Sequence, residues 1–346
     1  MVKVAVIGAA GYAGIEVVRW VLGHPELELV SATSTADAGR PIAQVYPALT
    51  GATSLVFSAP NVDEVAALAD VVFLAVPHTA ALALVPPLRA HGVKVIDLSA
   101  DYRLTDPGVY QSWYGVEHTS PGLLGSAVYG LPELDRSGLH GADLVAVPGC
   151  YPTATVLAGL PAIESGVALG TRIVVDAKSG VSGAGRTPSE TTHFVAANES
   201  CMPYKVGSHR HTPEMEQAFA YASGRPISVM FTPHLVPLSR GLLSTVYVDV
   251  EQGLDTAQII ELYRGRYHAE PFVHVHDAGV MPTTAEVRGT NRAAIGLHVD
   301  ARTSTLIAVC AIDNVGKGSA GQAIQCLNAV YGFAETVGLD ACPPVV

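Results

Sequence analysis

The sequence has few cysteines and few basic residues, and both shortages limit what the protein can be. Its five cysteines are scattered over 346 residues without a CxxC pair. This argues against a disulfide framework and a structural zinc site, and it favours a reducing cytoplasm. The 20 basic residues are outnumbered by 31 acidic ones and form no tract, so neither nucleic acid nor a membrane is an expected partner.

A long run without charged residues, 71–88, raises the question of a membrane span. Pro77, Pro86 and Pro87 interrupt the run, and proline breaks the continuous helix that a span requires. The run therefore predicts a buried strand followed by a short helix. The first residues of the chain are typical of a strand, a turn and a helix, and not of a cleavable targeting segment.

Aliphatic residues are abundant, since hydrophobic residues make up 49% of the chain and charged residues only 15%. Such a composition is typical of strands buried on both faces of a parallel sheet, and it favours an α/β protein. Up to residue 149, strand-like runs alternate with helical segments, which predicts a Rossmann-type doubly wound parallel sheet. A turn-rich stretch, 101–135, interrupts this rhythm and is long enough to be functional.

After residue 149 the pattern changes to strands with alternating faces that follow one another like hairpins. The change predicts a second, α+β domain with a mostly antiparallel sheet over residues 150–316. A C-terminal helix over 317–346 begins with small residues, and we expect it to pack back on the first domain, 1–149.

A glycine-rich turn, with Gly8, Gly11 and Gly14, follows the first strand and opens a helix. Glycine in this place lets the backbone approach a pyrophosphate held at the helix N-terminus. The spacing is GxxGxxG and not GxGxxG, so an ordinary tight turn is the alternative.

The second strand ends in Thr33-Ser34-Thr35, without the acid that usually binds the ribose of NAD. This absence favours NADP, and Ser34, Thr35 and Arg40 are candidate partners of its 2'-phosphate. Small hydroxyl residues are also ordinary turn formers.

The segment 148–153 places Cys150 between an apolar run and a helix-like run. At a helix N-terminus the dipole and the unpaired amides favour the reactive thiolate and could hold an oxyanion. The alternative is an inert, buried cysteine, which is our interpretation of Cys310 and Cys326.

Two histidines beside an arginine, His209, Arg210 and His211, stand at another expected helix start. One histidine can move a proton near neutral pH, and Arg210 can bind a carboxylate at two points. A zinc site at the HxH pair and a polar helix cap are the alternatives, although no third metal ligand is in view.

Two further loops contain small residues that could bind an anion. The loop 178–186 follows an apolar strand, and its amides can form an anion-binding nest, unless it is only a flexible connector. The turn 313–318 joins the last strand to the last helix and could bring an amide and a lysine to a cofactor.

Eight segments together resemble the N-acetyl-gamma-glutamyl-phosphate reductase family, the arginine-biosynthesis relatives of aspartate-semialdehyde dehydrogenase. They follow one another in the family's order along nearly the whole chain: GAAGYAG, LAVPH, SADYRL, YGLPEL, VPGCYPT, SGVSGAGR, SHRHTPE and DNVGKGSAGQA.

The resemblance implies that Cys150 is the nucleophile and that His209 is the acid/base residue. No metal is expected, because the HxH pair has no third ligand in view. The resemblance also implies a small acyl phosphate substrate, NADP(H) as the cofactor and a homodimer or homotetramer. The candidate cofactor contacts are Gly8, Gly11, Tyr12, Ala13, Gly14, Ser34, Thr35, Arg40, Ser179, Gly180, Ser182, Gly183, Asn314, Lys317 and Gly318. The candidate substrate contacts are Arg103, Gly149, Arg186, Tyr204, Arg210, His211 and Glu214.

Two alternatives remain open from the sequence. One is a related enzyme that acts on aminoadipyl or aspartyl phosphate, and the other is a dinucleotide sensor that kept the fold without the chemistry.

Overall fold

A computed structural model describes residues 1–343 of the chain, and they form two compact units. The first unit contains Met1–Pro148 and Ser319–Asp340, and the second contains Gly149–Gly318 and residues 341–343. Within residues 1–343 the structure has no helix that is both long and apolar enough to cross a membrane.

The first unit is built on a six-stranded sheet in the order β2-β1-β3-β4-β6-β5, and every neighbouring pair is parallel. This confirms the predicted Rossmann-type sheet. All four residues of β3 are buried, as expected for a strand that is covered on both faces. The strands are β1 Val2–Ile7, β2 Leu27–Thr33, β3 Val71–Leu74, β4 Lys94–Asp97, β5 Val128–Tyr129 and β6 Leu144–Ala146.

Six α-helices belong to the first unit. They are α1 Tyr12–Leu22, α2 Ile42–Val45, α3 Val62–Leu68, α4 Ala81–Ala90, α5 Pro107–Tyr114 and α10 Gly321–Tyr331. The turn-rich stretch 101–135 is more ordered than its composition indicates, because it contains α5 and β5. Asp106 caps α5 by accepting bonds from two backbone N–H groups, and Gly115 ends it in a left-handed conformation.

The C-terminal helix is shorter than the predicted range 317–346. A turn of π-helix, Gly316–Ala320, comes first, and α10 then ends at Tyr331 because Gly332 adopts a left-handed φ of 73°. Residues 344–346 of the predicted helix lie outside the described residues. Helix α10 packs against α1 within the first unit.

The second unit contains a seven-stranded sheet in the order β11-β12-β13-β10-β7-β9-β8. Four of its six pairings are antiparallel, which confirms an α+β unit with a mostly antiparallel sheet. The hairpin-like expectation is wrong for β7 and β9, which pair in parallel because a helical crossover joins them. The strands are β7 Arg172–Gly180, β8 Met202–Pro203, β9 Ser228–Val236, β10 Leu242–Asp249, β11 Val273–Val275, β12 Ala293–Asp300 and β13 Thr305–Ile312.

A central buried helix organises the second unit. The helices are α6 Cys150–Glu164, α7 Phe194–Ala197, α8 Thr212–Ser223 and α9 Thr256–Tyr267. Every residue of α6 from 151 to 163 is buried, and α6 packs against β10, α8 and α9. A helix that is apolar on all sides is stable only when it is surrounded by protein. The first residue of α6, Cys150, is therefore placed by a tightly packed element.

Candidate active site

Cys150 is the first residue of α6 and is half-buried. The residue before it, Gly149, is extended and acts as the helix cap without a side chain, so the first amides of the helix are not covered by a capping group. The other cysteines differ from Cys150: Cys310 and Cys326 are buried in the core, as predicted, and burial raises the pKa of the Cys310 thiol.

The histidine segment lies against the residue that precedes Cys150. A Cβ atom built on Gly149 would overlap the imidazole of His211, so only glycine fits beneath that ring. The carboxylate of Glu214, which is almost fully buried, accepts a bond of 2.9 Å from the Gly149 N–H. Gly149 and Glu214, which are 65 positions apart in the sequence, thus meet at the start of α6.

His209 is buried and is surrounded by four aromatic or imidazole rings. The ring centroids of Tyr151, Tyr204, Phe231 and His211 lie 4.8–5.5 Å from its own. Its Nδ1 accepts a bond of 3.1 Å from the backbone N–H of His211. Because a backbone N–H can only donate, the neutral imidazole carries its proton on Nε2.

Burial, together with the positive charges of Lys205 and Arg210, lowers the pKa of His209 to about 4. At neutral pH this residue is therefore an uncharged hydrogen-bond donor through Nε2 and not an imidazolium ion. Arg210, which is half-buried, supplies a permanent positive charge beside it.

Two tyrosines extend the site through their hydroxyl groups. The Tyr204 hydroxyl donates to the Tyr151 hydroxyl at 3.1 Å, and Tyr151 donates to the carbonyl of His234 at 3.2 Å. Burial raises the pKa of both phenols, and a charge on Cys150 raises them further. The two phenols are thus uncharged hydrogen-bond donors, and both lie close enough to Cys150 for a charge on its sulfur to affect them.

The small-residue loop after β7 and the turn after β13 are joined within the second unit. The side-chain amide of Asn314 donates to the Ser182 hydroxyl at 2.9 Å, and its carbonyl oxygen accepts the Gly241 N–H at 2.8 Å. A Cβ on Gly183 would lie 3.0 Å from the hydroxyl oxygen of Ser179.

The last residues of that turn approach the thiol. A Cβ on Gly318 would stand 2.7 Å from the Cβ of Cys150, so Gly318 packs directly on the cysteine. Lys317 is fully buried, with its ammonium 5.6 Å from the centre of the Phe272 ring. Gly180 is buried against the Leu238 carbonyl, whereas Arg186 is exposed.

The glycine turn of the first unit has the tight geometry of a phosphate-binding turn. Gly8 has a φ of 83°, and a Cβ there would collide with the Ala75 carbonyl, so the position requires glycine. Gly11 caps helix α1, and Tyr12, which is exposed, and Ala13 are the first residues of that helix. Gly14 packs on Gly8.

The loop after β2 contains the candidate phosphate ligands. Arg40 is exposed and forms an ion pair of 2.6 Å with Asp37, which is buried. Ser34 is buried and accepts a bond from the Asp37 N–H, while Thr35 is exposed. The Thr33 hydroxyl, at the end of β2, is fully buried and has no hydrogen-bond partner among residues 1–343.

Arg103 is buried, and its guanidinium donates to the carbonyls of Val147 at 2.7 Å and Leu98 at 2.8 Å. It therefore holds the chain three residues before Cys150. Within the described part of the chain, no cluster of three or more histidine, cysteine or acidic side chains is placed to bind a metal ion.

Three residues of this site were not singled out by sequence reasoning. Tyr151 stood inside a recognised segment, but only the structure shows its contact with His209. Phe231 has the pattern of an ordinary strand residue, and Lys205 lies in a bend that carries no motif. No local signal could have found the last two.

A parallel dinucleotide-binding sheet in one unit, and a cysteine at a helix start beside paired histidines in the other, define an oxidoreductase of the semialdehyde dehydrogenase class. The semialdehyde dehydrogenase NAD binding domain matches residues 3–142, and the semialdehyde dehydrogenase dimerisation domain matches residues 150–314. The aspartate semialdehyde dehydrogenase II of Vibrio cholerae has the same fold, with a TM-score of 0.71 at 18% identity over 95% of this chain and 98% of that one. The NADP complex of the Candida albicans enzyme gives a TM-score of 0.65 at 14% identity over 95% of this chain and 98% of the other.

Curated relatives define the family more narrowly. The N-acetyl-gamma-glutamyl-phosphate reductase of Moorella thermoacetica is 46% identical over 99% of this chain and 100% of the relative. The reductase of the same name from Halorhodospira halophila is 48% identical over 98% of both chains. The chain belongs to the N-acetyl-gamma-glutamyl-phosphate reductase family.

Proposed function

We propose that this protein reduces N-acetyl-L-glutamyl 5-phosphate to N-acetyl-L-glutamate 5-semialdehyde with NADPH, releasing phosphate, as a step of arginine biosynthesis. The observation that carries the proposal is the placement of Cys150 at an uncapped helix N-terminus, beside the segment that contains His209 and His211. The substrate is proposed from the family to which the relatives belong, the N-acetyl-gamma-glutamyl-phosphate reductases.

Cys150 acts first, as a thiolate. The N-terminal end of α6 favours the negative sulfur, which attacks the acyl carbon of the substrate. The bond from that carbon to the phosphate oxygen breaks, and phosphate leaves with a proton taken from solvent. The product is a thioester on Cys150, and the first amides of α6 stabilise the oxyanion that forms on the way to it.

Bound NADPH supplies the hydride that reduces this thioester. His209 donates a hydrogen bond from Nε2 to the oxygen of the reacting carbonyl group. It does so when this oxygen is negatively charged, once on the way to the thioester and again after reduction. When the carbon–sulfur bond breaks, the aldehyde departs and the sulfur leaves again as a thiolate, so the enzyme returns to its starting charge.

The candidate substrate contacts fall into two groups. Arg210, His211, Tyr204 and Arg186 remain proposed ligands of the substrate carboxylate and phosphate, and Arg210 is suited to a carboxylate because its guanidinium is always charged. Glu214, Gly149 and Arg103 are proposed to position the start of α6, since their bonds run to the backbone around Cys150. Both groups would still affect turnover.

The first unit fits NADP. Helix α1 begins after Gly11 without a side-chain cap, which leaves its first amides for a pyrophosphate, and the buried Thr33 hydroxyl still has capacity for a ribose. Ser34, Thr35 and Arg40 would hold the 2'-phosphate, and Gly11, Tyr12, Ala13 and Gly14 the pyrophosphate. The proposed contacts from the second unit are Ser179, Gly180, Ser182, Gly183, Asn314, Lys317 and Gly318.

Replacing Arg40 by glutamine should raise the KM for NADPH about 10-fold or more, because a hydrogen bond to a charged phosphate is worth about 1.5–3 kcal/mol. The KM for NADH should stay unchanged, since that cofactor has no 2'-phosphate. Arg89→Gln, which breaks the ion pair with Asp143 elsewhere in the unit, is the control. Equal increases for both cofactors would refute the assignment of Arg40.

The substrate is tested in the reverse direction. The purified protein is incubated with NADP, phosphate and N-acetylglutamate semialdehyde, and NADPH formation is followed. Aspartate semialdehyde and aminoadipate semialdehyde are then tested in the same way. Preference for either of these would change the substrate, and turnover of no aldehyde would favour a dinucleotide sensor.

The match to a dimerisation domain supports a homo-oligomer, and we propose a homodimer or homotetramer. The cytoplasm is the proposed compartment, because all five cysteines of the chain are thiols and the mechanism needs one of them reduced.

A further inference from the structure

A buried carboxylate in the second unit has no part in the proposed chemistry, yet it organises the turn after β13. Asp313 is completely buried. Its oxygens accept the N–H groups of Gly289 at 2.6 Å, Val315 at 3.0 Å and Gly316 at 2.9 Å. They also accept the Nε–H of Arg240 at 3.0 Å, in an ion pair. The charge of Asp313 is thus fully compensated.

The turn held by Asp313 ends on the nucleophile. The Gly318 N–H donates to the backbone carbonyl of Asp313 at 2.9 Å. Gly318 in turn packs so closely on Cys150 that an added Cβ would lie 3.2 Å from the Cα of the cysteine and closer still to its Cβ. The hydrogen bonds between Asp313 and the backbone of the turn therefore determine the position of Gly318, which packs on Cys150.

The same ion pair reaches the small-residue loop. Arg240 precedes Gly241, whose N–H is held by Asn314, and Gly241 accepts a bond of 2.9 Å from the Gly180 N–H. The Ser182 N–H donates to the carbonyl of Ser239 at 3.2 Å. Three chain segments, after β7, between β9 and β10, and after β13, are thus tied together at one place.

We propose that the Asp313–Arg240 ion pair is a positioning device that holds Cys150 in its reactive orientation. Replacing the carboxylate by an amide would turn one acceptor oxygen into a donor, so that the Gly289 N–H would lose its acceptor and the guanidinium of Arg240 the charge it pairs with, which favours rearrangement. The turn would relax, and the close support of Gly318 against Cys150 would be lost. This inference rests on the proposed role of Cys150 as the nucleophile.

The test compares full-length Asp313→Asn with Glu270→Gln. Glu270 is also buried and forms an ion pair with Arg266, but it lies close to the far end of α6, where Arg266 also binds Glu164. We expect Asp313→Asn to lower kcat about 10- to 100-fold, as small displacements of reacting groups do, with KM within about threefold. The rate at which iodoacetamide alkylates Cys150 is measured at several pH values by mass spectrometry of the peptide that contains it. In Asp313→Asn this rate should fall, and the pH at which it is half its maximum should change.

Glu270→Gln should change neither kcat nor the alkylation profile, even if its melting temperature falls equally. Wild-type kcat and alkylation in Asp313→Asn, or the same losses in Glu270→Gln, would overturn the inference. Should Asp313→Asn not fold, Arg240→Gln is measured in the same way, and an unchanged profile in it overturns the inference too. A wild-type protein that turns over no aldehyde would instead contradict the proposed function.

Discussion

Replacing Cys150 by serine should lower kcat by about three orders of magnitude or more, while the fold and NADP binding are retained. The serine hydroxyl has nearly the size of the thiol, but the N-terminus of α6 cannot ionise it at neutral pH as it can a thiol. The measurement is steady-state formation of NADPH from N-acetylglutamate semialdehyde, NADP and phosphate, with circular dichroism to check the fold.

Cys201→Ser is the matched control, because Cys201 is an exposed thiol in the same unit. It should keep wild-type turnover. Iodoacetamide should inactivate the wild-type protein and Cys201→Ser alike, with one label on the peptide that contains Cys150. Turnover near the wild-type value in Cys150→Ser would remove the covalent mechanism altogether.

Replacing His209 by asparagine should lower kcat about 10²- to 10³-fold, the range for loss of one hydrogen-bond donor to an oxyanion in the transition state. His211→Asn should have a much smaller effect on kcat, because His211 packs on Gly149 and is a proposed ligand of the substrate, not the donor to the oxyanion. Both variants keep a polar side chain of moderate size. If His211→Asn proved the more damaging change, the two histidines would exchange roles.

The lowered pKa of His209 also has a consequence for stability. Its folded-state pKa is about 4 against 6.5 for the ordinary group, so between these values the unfolded chain binds a proton that the folded chain does not. Stability must therefore fall as the pH is lowered from about 6.5 towards 4. The buried residues His24 and His118 act in the same direction.

A comparison of unfolding in urea at pH 7 and pH 5 isolates the share of His209. The wild type should lose more stability between these pH values than His209→Asn does, because the variant has no imidazole to protonate. Equal losses in the two proteins would mean that His209 titrates normally, which would contradict its confinement between the aromatic rings.

Much of the fold could be predicted because its signals are local. The spacing of apolar residues predicts the alternation of strands and helices in the first unit. It also predicts that the second unit has a mostly antiparallel sheet instead of a parallel one. The parallel pairing of β7 and β9 could not be predicted from the sequence. It depends on how the helices that connect the two strands pack on the sheet. The end of α10 at Gly332 was missed, since an apolar pattern that continues past a glycine hides the boundary.

The sequence by itself determined that Cys150 begins a helix and that a glycine turn begins another, because turn chemistry and helix starts depend on a few neighbouring residues. Only the tertiary structure decided that the His211 ring covers Gly149, that the His211 backbone fixes the tautomer of His209, and that Asp313 supports the turn beneath Cys150. Each of these contacts joins residues that are brought together by packing. The spacing of the residues along the chain does not predict them.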